Sequence, residues 1–224
     1  MGFFNKKNNN VEKKERNSYM NKTEININGK KVFFYHNTTE DIVNLFEETL
    51  TTQDDKYNTI DDNKIIQIGF NFYKIKEINN EFQIFAVNYK EDPFKDFTED
   101  LTLSLDIMKN QLLITKKTGL ISDEAISFQD TIFVKKTALK SNNLYFEKQV
   151  KKQDNDSGWY MGNLDDKDKS NNPEDYTTIK MYELLKICPM GIAILNLPVG
   201  AMAIIKNNEI IGICDSNNKE VYAI

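Results

Sequence analysis

The side chains that most often perform catalysis or bind metals are scarce in this chain of 224 residues. His36 is the only histidine, and the only cysteines, Cys188 and Cys214, lie in apolar runs that are typical of buried thiols. This set cannot form a multi-histidine or Cys2His zinc site. A Ser-His-Asp triad would have to recruit His36 without a nucleophile elbow, and no glycine-rich phosphate-binding motif occurs. The sequence therefore predicts a protein that is not an enzyme and holds no metal or cofactor.

Acidic residues are the other candidates for chemistry, and they gather in two polar segments. The members are Asp54, Asp55, Asp61 and Asp62 in the first segment, and Asp165, Asp166 and Asp168 in the second. Paired carboxylates can act as acid and base or bind Ca²⁺ or Mg²⁺, so an enzyme that uses loop carboxylates stays open as a third interpretation. Neither segment has the spacing of an EF-hand, and solvated loop charge is the favoured interpretation.

Charge is distributed unevenly along the chain. Residues 1–22 hold six basic and two acidic side chains, so this Asn- and Lys-rich tail carries +4 and is predicted to be disordered. Because the whole chain carries −5, residues 23–224 carry −9. Such an acidic body argues against binding to nucleic acid. No signal peptide or membrane-length apolar run is visible, so we expect a cytoplasmic protein without a membrane partner.

Periodicity and turn signals place the elements of the first half. Ile25 and Ile27 alternate with polar residues from Glu24 onward, and Asn28-Gly29 predicts a tight turn into a second strand. Thr38 resembles the first residue of a capping box that opens a helix. The other predictions for this half are a hairpin of strands at 65–78 and 82–89, and a helix at 98–117 that ends at Gly119.

The second half repeats this mixture of strands and helices. The predicted elements are strands at 128–136, 143–148 and 159–161, an acidic loop at 162–176, a helix that Thr178 caps and Pro189 ends, and a hairpin of 201–206 with 209–214. The resulting fold class is α+β, with two small units of antiparallel hairpins and packed helices. The predicted bounds are 23–118 for a first unit of no assigned family and 119–224 for the second unit.

One tetrapeptide, Asp156-Ser157-Gly158-Trp159, contains the only tryptophan. Its residue types predict a turn followed by an aromatic anchor. Around it stand Tyr145-Phe146-Glu147-Lys148, Gly162, Asp165-Asp166, Tyr176, Pro189 and Leu197-Pro198. Over residues 126–215 this order resembles immunity-protein family thirty-three, a former domain of unknown function from bacterial polymorphic-toxin systems. Two departures are Glu147-Lys148, where the family often has Arg-Glu, and a loosened acidic run after Gly162.

The resemblance implies a cytoplasmic immunity protein, or antitoxin, that binds a cognate toxin and neutralises it by direct protein contact. An acidic body suits a basic toxin, because complementary charge accelerates association. The alternative function is a non-catalytic module that binds a small ligand or peptide between the two halves. A toxin gene beside this one would favour the first function, and a ligand retained through purification would favour the second.

A partner-binding face can be placed on the acidic loop as a hypothesis. Between residues 153 and 176 there are seven acidic and two basic side chains, a net charge of −5. Surface loops often carry functional contacts, although such a run can also be merely solubilising. Trp159 is expected first as a structural anchor and second as a contact. The hypothesis names Asp156, Trp159, Asp165, Asp166, Asp168, Glu174 and Asp175.

Overall fold

A computed structural model describes residues 20–52, 59–167 and 172–223 of the chain. Most of the predicted tail, residues 1–19, and the acids Asp54, Asp55 and Asp168 lie outside these described residues. The chain divides into two compact units between Asp106 and Ile107. Each unit contains a mixed β-sheet and helices, which confirms the predicted α+β class.

The first unit is built on a sheet with the strand order β1-β2-β5-β4-β3, and β6 pairs with β5. Its strands are β1 (Asn21–Ile27), β2 (Lys30–His36), β3 (Ile65–Ile68), β4 (Asn71–Ile78), β5 (Glu81–Val87) and β6 (Phe97–Thr98). Helix α1 (Glu40–Thr51) buries Ile42, Phe46 and Leu50 on one face. The aromatic ring of Phe46 packs against Phe34 of β2 and Tyr73 of β4, so this helix closes the core.

The predicted first hairpin is confirmed. Asn28 and Gly29 both have positive φ angles, of 50° and 81°, as a two-residue turn that follows strand twist requires. The strand begins earlier than the alternating pattern indicates, because Asn21 and Lys22 already pair with β2. Part of the sequence assigned to the tail is therefore strand.

The predicted long strand at 65–78 is wrong, because it is two strands. Gly69 adopts a φ of 56°, which reverses the chain between β3 and β4. The buried positions are the even-numbered Ile66 and Ile68 before this turn and the odd-numbered Tyr73 and Ile75 after it. An unbroken alternation cannot cross such a shift in phase.

Two predicted helix starts also need correction. The N-cap of α1 is Thr39, and the hydroxyl of Thr38 instead donates to Asp106 Oδ1 at 2.8 Å. Helix α2 (Thr102–Thr118) begins later than residue 98, because Phe97-Thr98 pairs with β5. The Asp100 carboxylate then accepts the Thr102 N–H at 2.9 Å, and the predicted end at Gly119, with a φ of 70°, is confirmed.

The second unit is built on a seven-stranded sheet with the order β10-β7-β9-β8-β11-β12-β13. Its strands are β7 (Thr131–Lys135), β8 (Asn143–Lys148), β9 (Asp156–Asn163), β10 (Tyr176–Lys180), β11 (Met202–Lys206), β12 (Glu209–Cys214) and β13 (Glu220–Ala223). Two short helices, α3 (Leu184–Ile187) and α4 (Met190–Ala193), follow β10, and 3-10 turns span Lys136–Lys140, Pro173–Asp175 and Met181–Glu183.

Antiparallel hairpins are present in both sheets as predicted, but each sheet also contains a parallel pair. The pair β2–β5 in the first unit and the pair β7–β9 in the second are parallel. In each case the parallel neighbour is not the next strand in the sequence, so no turn signal marks the contact.

The segment after the acidic loop differs from its predicted helix. Thr178 lies in β10, where it pairs with Phe133, and helical structure starts only at Met181. The Glu183 carboxylate accepts the Lys180 N–H at 2.8 Å, so the capping residue is Lys180 rather than Thr178. Strand β10 is stabilised by hydrogen bonds to β7, whose residues lie more than forty positions earlier in the sequence.

Candidate functional site

The tetrapeptide at 156–159 forms the turn that its residue types predict. One carboxylate oxygen of Asp156 accepts the Gly158 N–H at 2.8 Å, and the other accepts the Lys152 N–H at 3.1 Å. Gly158 has a φ of 70°, and a Cβ at this position would lie 2.4 Å from the carbonyl oxygen of Gln149. Asp156 therefore holds the backbone that leads into β9, and only glycine fits beside it.

Trp159 is a core residue of the second unit. Its side chain is 1% exposed, and its indole N–H donates to the carbonyl oxygen of Leu195 at 3.3 Å. The ring thus has its polar group satisfied and offers almost no surface to another molecule. This placement agrees with the structural role that we expected first.

A buried lysine supports the same turn. The ammonium of Lys148 donates to the carbonyl oxygen of Ser157 and to the Glu124 carboxylate at 3.0 Å, and its side chain is fully buried. Burial lowers the pKa of Lys148, and the hydrogen bond to Glu124 opposes that effect. The same hydrogen bond lowers the pKa of Glu124. Sequence reasoning missed this ion pair, since 24 residues separate its partners.

The acidic residues after β9 differ in how far they are tied into the unit. The Asp166 carboxylate forms an ion pair with Lys135 at 3.0 Å and accepts the Thr137 hydroxyl at 2.8 Å, with both charged side chains nearly buried. The exposed Asp165 accepts the side-chain amide of Asn143 at 2.7 Å. Asp166 is thus a structural partner of Lys135, whereas the Asp165 side chain is exposed to solvent.

The acids before β10 lie at the same end of the sheet. Glu174 and Asp175 belong to the turn that precedes Tyr176, and Tyr176 pairs with Lys135, the partner of Asp166. Glu174 is exposed, and Asp175 is half-buried. The structure therefore brings together four of the acids named in the hypothesis, while Asp156 lies at the opposite end of β9.

His36 has a structural environment rather than a catalytic one. The imidazole is buried, its Nδ1 accepts the Thr38 N–H at 3.4 Å, and its Nε2 lies 2.9 Å from the Thr23 hydroxyl. Since Nδ1 accepts, Nε2 carries the proton and donates to Thr23. Burial lowers the pKa of His36, which favours the neutral ring.

The side chains of the seven-stranded sheet separate into a core face and an opposite face, here called the open face. Strand β8 shows the alternation, since Phe146 and Lys148 are buried while Tyr145 and Glu147 are half-buried. The open face carries aromatic rings on four neighbouring strands, β10, β7, β9 and β8. They are Tyr176, Phe133, Tyr160 and Tyr145.

The rings of the open face contact one another in a continuous group. Phe133 and Tyr176 are stacked with their centroids 5.0 Å apart, and Phe133 and Tyr160 are 6.1 Å apart. Tyr145 meets Tyr160 edge-on at 5.6 Å. Phe133 is nevertheless 45% exposed, so this group is not covered within the described residues.

Gly162 makes the position of Tyr145 possible. A Cβ on Gly162 would lie 2.3 Å from the ring atoms of Tyr145, so the ring rests directly on the glycine backbone of the neighbouring strand. Any larger residue would displace Tyr145 from the group. This glycine is the one that follows the tetrapeptide in the sequence resemblance.

The charge of the folded body is not shared by its two parts. Residues 23–106 contain 17 acidic and 8 basic side chains, a net charge of −9, whereas residues 107–224 contain 15 of each. The acidity that the sequence assigns to the whole body thus belongs entirely to the first part.

No group of His, Cys, Asp and Glu in the described ranges could hold a metal ion. Among the described helices, none is both long and apolar enough to cross a membrane.

A group of half-buried aromatic side chains with one exposed ring on a sheet face is typical of a surface that binds another protein. Comparison with protein families is consistent with this class, because residues 110–216 match the Imm33-like domain. The resemblance to immunity-protein family thirty-three is thereby confirmed, and the matched segment extends the predicted one to include the end of α2. Neither curated proteins nor solved structures gave a match.

Proposed function

We propose that the chain is a cytoplasmic immunity protein that binds a cognate bacterial toxin and neutralises it by direct contact, without catalysis. The observation that carries the proposal is the Imm33-like match over residues 110–216, which includes strands β7 to β12. The second unit offers what such a function needs, which is a buried core behind a sheet face that carries a group of aromatic rings, with Phe133 exposed.

The charge distribution supports a division of labour in this proposal. The first part carries −9 and attracts a basic toxin over distances of about a Debye length, roughly 8–10 Å at physiological salt. The second part is neutral overall, so its contribution lies in contacts at short range.

Neutralisation is tested by co-expression of the full chain with the product of the adjacent gene, which this proposal expects to be the toxin. We expect growth to be rescued and the two proteins to purify together as a complex. A catalytically inactive toxin serves as a control for expression. Continued killing by the active toxin, in cells that contain the folded chain at equal or higher level, would contradict the proposal.

The acidic loop is proposed as the rim of the toxin contact. Asp165 and Glu174 are suitable for a test because both are exposed, whereas Asp166, which pairs with Lys135, would change stability as well. We expect Asp165→Asn and Glu174→Gln together to slow association at low salt, by an amount that shrinks as salt rises.

The control for the loop carries the same change of charge at two exposed positions elsewhere in the unit, Asp123→Asn and Glu209→Gln. Stopped-flow measurements over a salt series separate the two variants. If both variants associate at the same rate at low ionic strength, the loop is a solubilising segment and not the rim.

A further inference from the structure

One carboxylate lies in the middle of the open face. Across the sheet, Phe133 is the register partner of Tyr160, Tyr160 is the partner of Glu147, and Glu147 is the partner of Met202. These side chains form a row over four neighbouring strands, with Tyr145 two residues before Glu147 on the same face. Glu147 therefore has aromatic or thioether neighbours on both sides.

Glu147 has no ionic or hydrogen-bonding partner among residues 20–52, 59–167 and 172–223, although it is half-buried. Two other half-buried carboxylates of the second unit do have one, since Glu124 pairs with Lys148 and Asp166 with Lys135. A charge that is partly removed from water without a partner is unfavourable to the folded state. The row can therefore accept a cation beside Glu147, and no described residue supplies that cation.

The aromatic rings of the first unit have a different environment. Four of its phenylalanine rings each have a lysine ammonium over them, at 4.3 to 5.9 Å from the ring centroid. The pairs are Lys22 with Phe33, Lys30 with Phe82, Lys74 with Phe97, and Lys76 with Phe85. Within the described residues, no lysine lies over Phe133, Tyr145 or Tyr160.

We propose that Glu147 and the rings of Tyr145, Tyr160 and Phe133 form a binding site for one basic side chain, an arginine or lysine, on the surface of the protein partner. The aliphatic stem of that side chain packs along the rings, its cationic group contacts their faces, and Glu147 provides the opposite charge. Arginine and tyrosine are the residue types that dominate the energy of many protein interfaces. A phosphate-rich partner such as nucleic acid does not fit, because Glu147 repels it.

This site rests on the proposed function only for the identity of the partner, so it can be tested without the toxin. The probe is a short peptide with blocked termini whose only charged side chain is one arginine. Its control is the same peptide with citrulline, which has nearly the shape of arginine without its charge. Titration of the full chain is followed through the NMR signals of the Tyr160 and Glu147 amides. We expect the arginine peptide to shift these signals and the citrulline peptide to leave them unchanged.

Glu147→Gln is the variant that decides the proposal. We expect it to bind the arginine peptide about tenfold more weakly than the wild-type chain, as loss of one partly desolvated opposite charge implies. Glu220→Gln, an exposed change on β13, is the matched control and should bind as wild type does. The melting temperature of Glu147→Gln should equal or exceed that of the wild type, because an unpaired carboxylate has been removed.

Equal binding of the arginine peptide by wild type and Glu147→Gln, or no binding by wild type at millimolar peptide, would overturn the proposed site. The test of this site and the test of the proposed function have distinguishable outcomes. Protection against the toxin by both wild type and Glu147→Gln would leave the immunity function intact and reject the site. A positive titration together with failure to neutralise the toxin would retain the site and reject that function.

Discussion

Several aromatic side chains of the first sheet lie under lysines, whereas the rings of the open face do not. In the first unit, Phe33 and Phe85 lie under Lys22 and Lys76 and are buried, although the surrounding segment has an excess of acid. In the second unit, the rings of the open face stack on one another, and Phe133 stays 45% exposed although lysines and acids are equal in number there. The difference is therefore one of placement and not of composition.

This contrast shows that the local arrangement of side chains, and not the composition of the unit, determines whether a lysine covers an aromatic ring. A lysine stem over a ring removes apolar surface from water while its charge stays hydrated. Where the same surface is left open beside an unpaired carboxylate, the unit gains no stability from it. Such a face is the expected result when binding, and not folding, determines the residues.

The largest effect on stability is expected at Trp159, and its size tests how strongly the core face of the sheet stabilises the second unit. Trp159→Ala should lower the free energy of unfolding by about 3–5 kcal/mol, because it leaves a cavity behind the sheet. Chemical denaturation with urea measures this loss. A variant that keeps full stability would show that Trp159 is not a core residue, and Trp159→Phe should fall between the two.

A matched pair of substitutions tests the contrast between the units directly. Phe85→Ala should lower the free energy of unfolding by about 3 kcal/mol, because the ring is buried under Lys76. Phe133→Ala on the open face should lower it by less than about 1 kcal/mol. Denaturation of both variants under the same conditions gives the comparison, and similar losses would mean that the open face serves folding after all.

The buried ion pair offers a second contrast, between two lysines that share one carboxylate. Lys148→Met should lower the free energy of unfolding by roughly 2–3 kcal/mol, since Ser157 loses its hydrogen-bond donor and Glu124 its close partner. Lys151, at 3.8 Å from Glu124 and partly exposed, serves as the control, and Lys151→Met should have little effect. Equal losses of stability from the two substitutions would mean that the charge near Glu124 stabilises the unit and that the buried contact of Lys148 adds nothing.

The smallest expected effect concerns the first unit and its single histidine. Because burial holds the pKa of His36 below its ordinary value of 6.5, protonation favours the unfolded chain. The contribution of His36 is complete above that value and is lost as the pH falls below it. We expect the difference in stability between wild type and His36→Gln to shrink between about pH 7.5 and about pH 5.

Thermal denaturation over that range checks the sign for His36. The Asp100 charge acts on the same imidazole in the opposite direction, so the Asp100→Asn background should enlarge the pH dependence. A difference between wild type and His36→Gln that grows as the pH falls would contradict the assignment.

The turn of the tetrapeptide could be found in the sequence, because its signals are local. The turn at Asp156 and Gly158 follows from residue types within three positions, and the resemblance around it agrees with the Imm33-like match. The acidic loop was also visible as a run of charge. Its division into the paired Asp166 and the exposed Asp165 was not, because Lys135 comes thirty residues earlier.

The sequence by itself determined the fold class, the tight turn at Asn28-Gly29, the helix end at Gly119, and the burial of Trp159. These depend on backbone preferences and on burial, which act within a few residues. Only the tertiary structure decided which strands lie side by side, and therefore that Glu147 stands between Tyr160 and Met202 without a partner in the described chain. Strand order depends on the packing of the whole sheet, so no local pattern contains it.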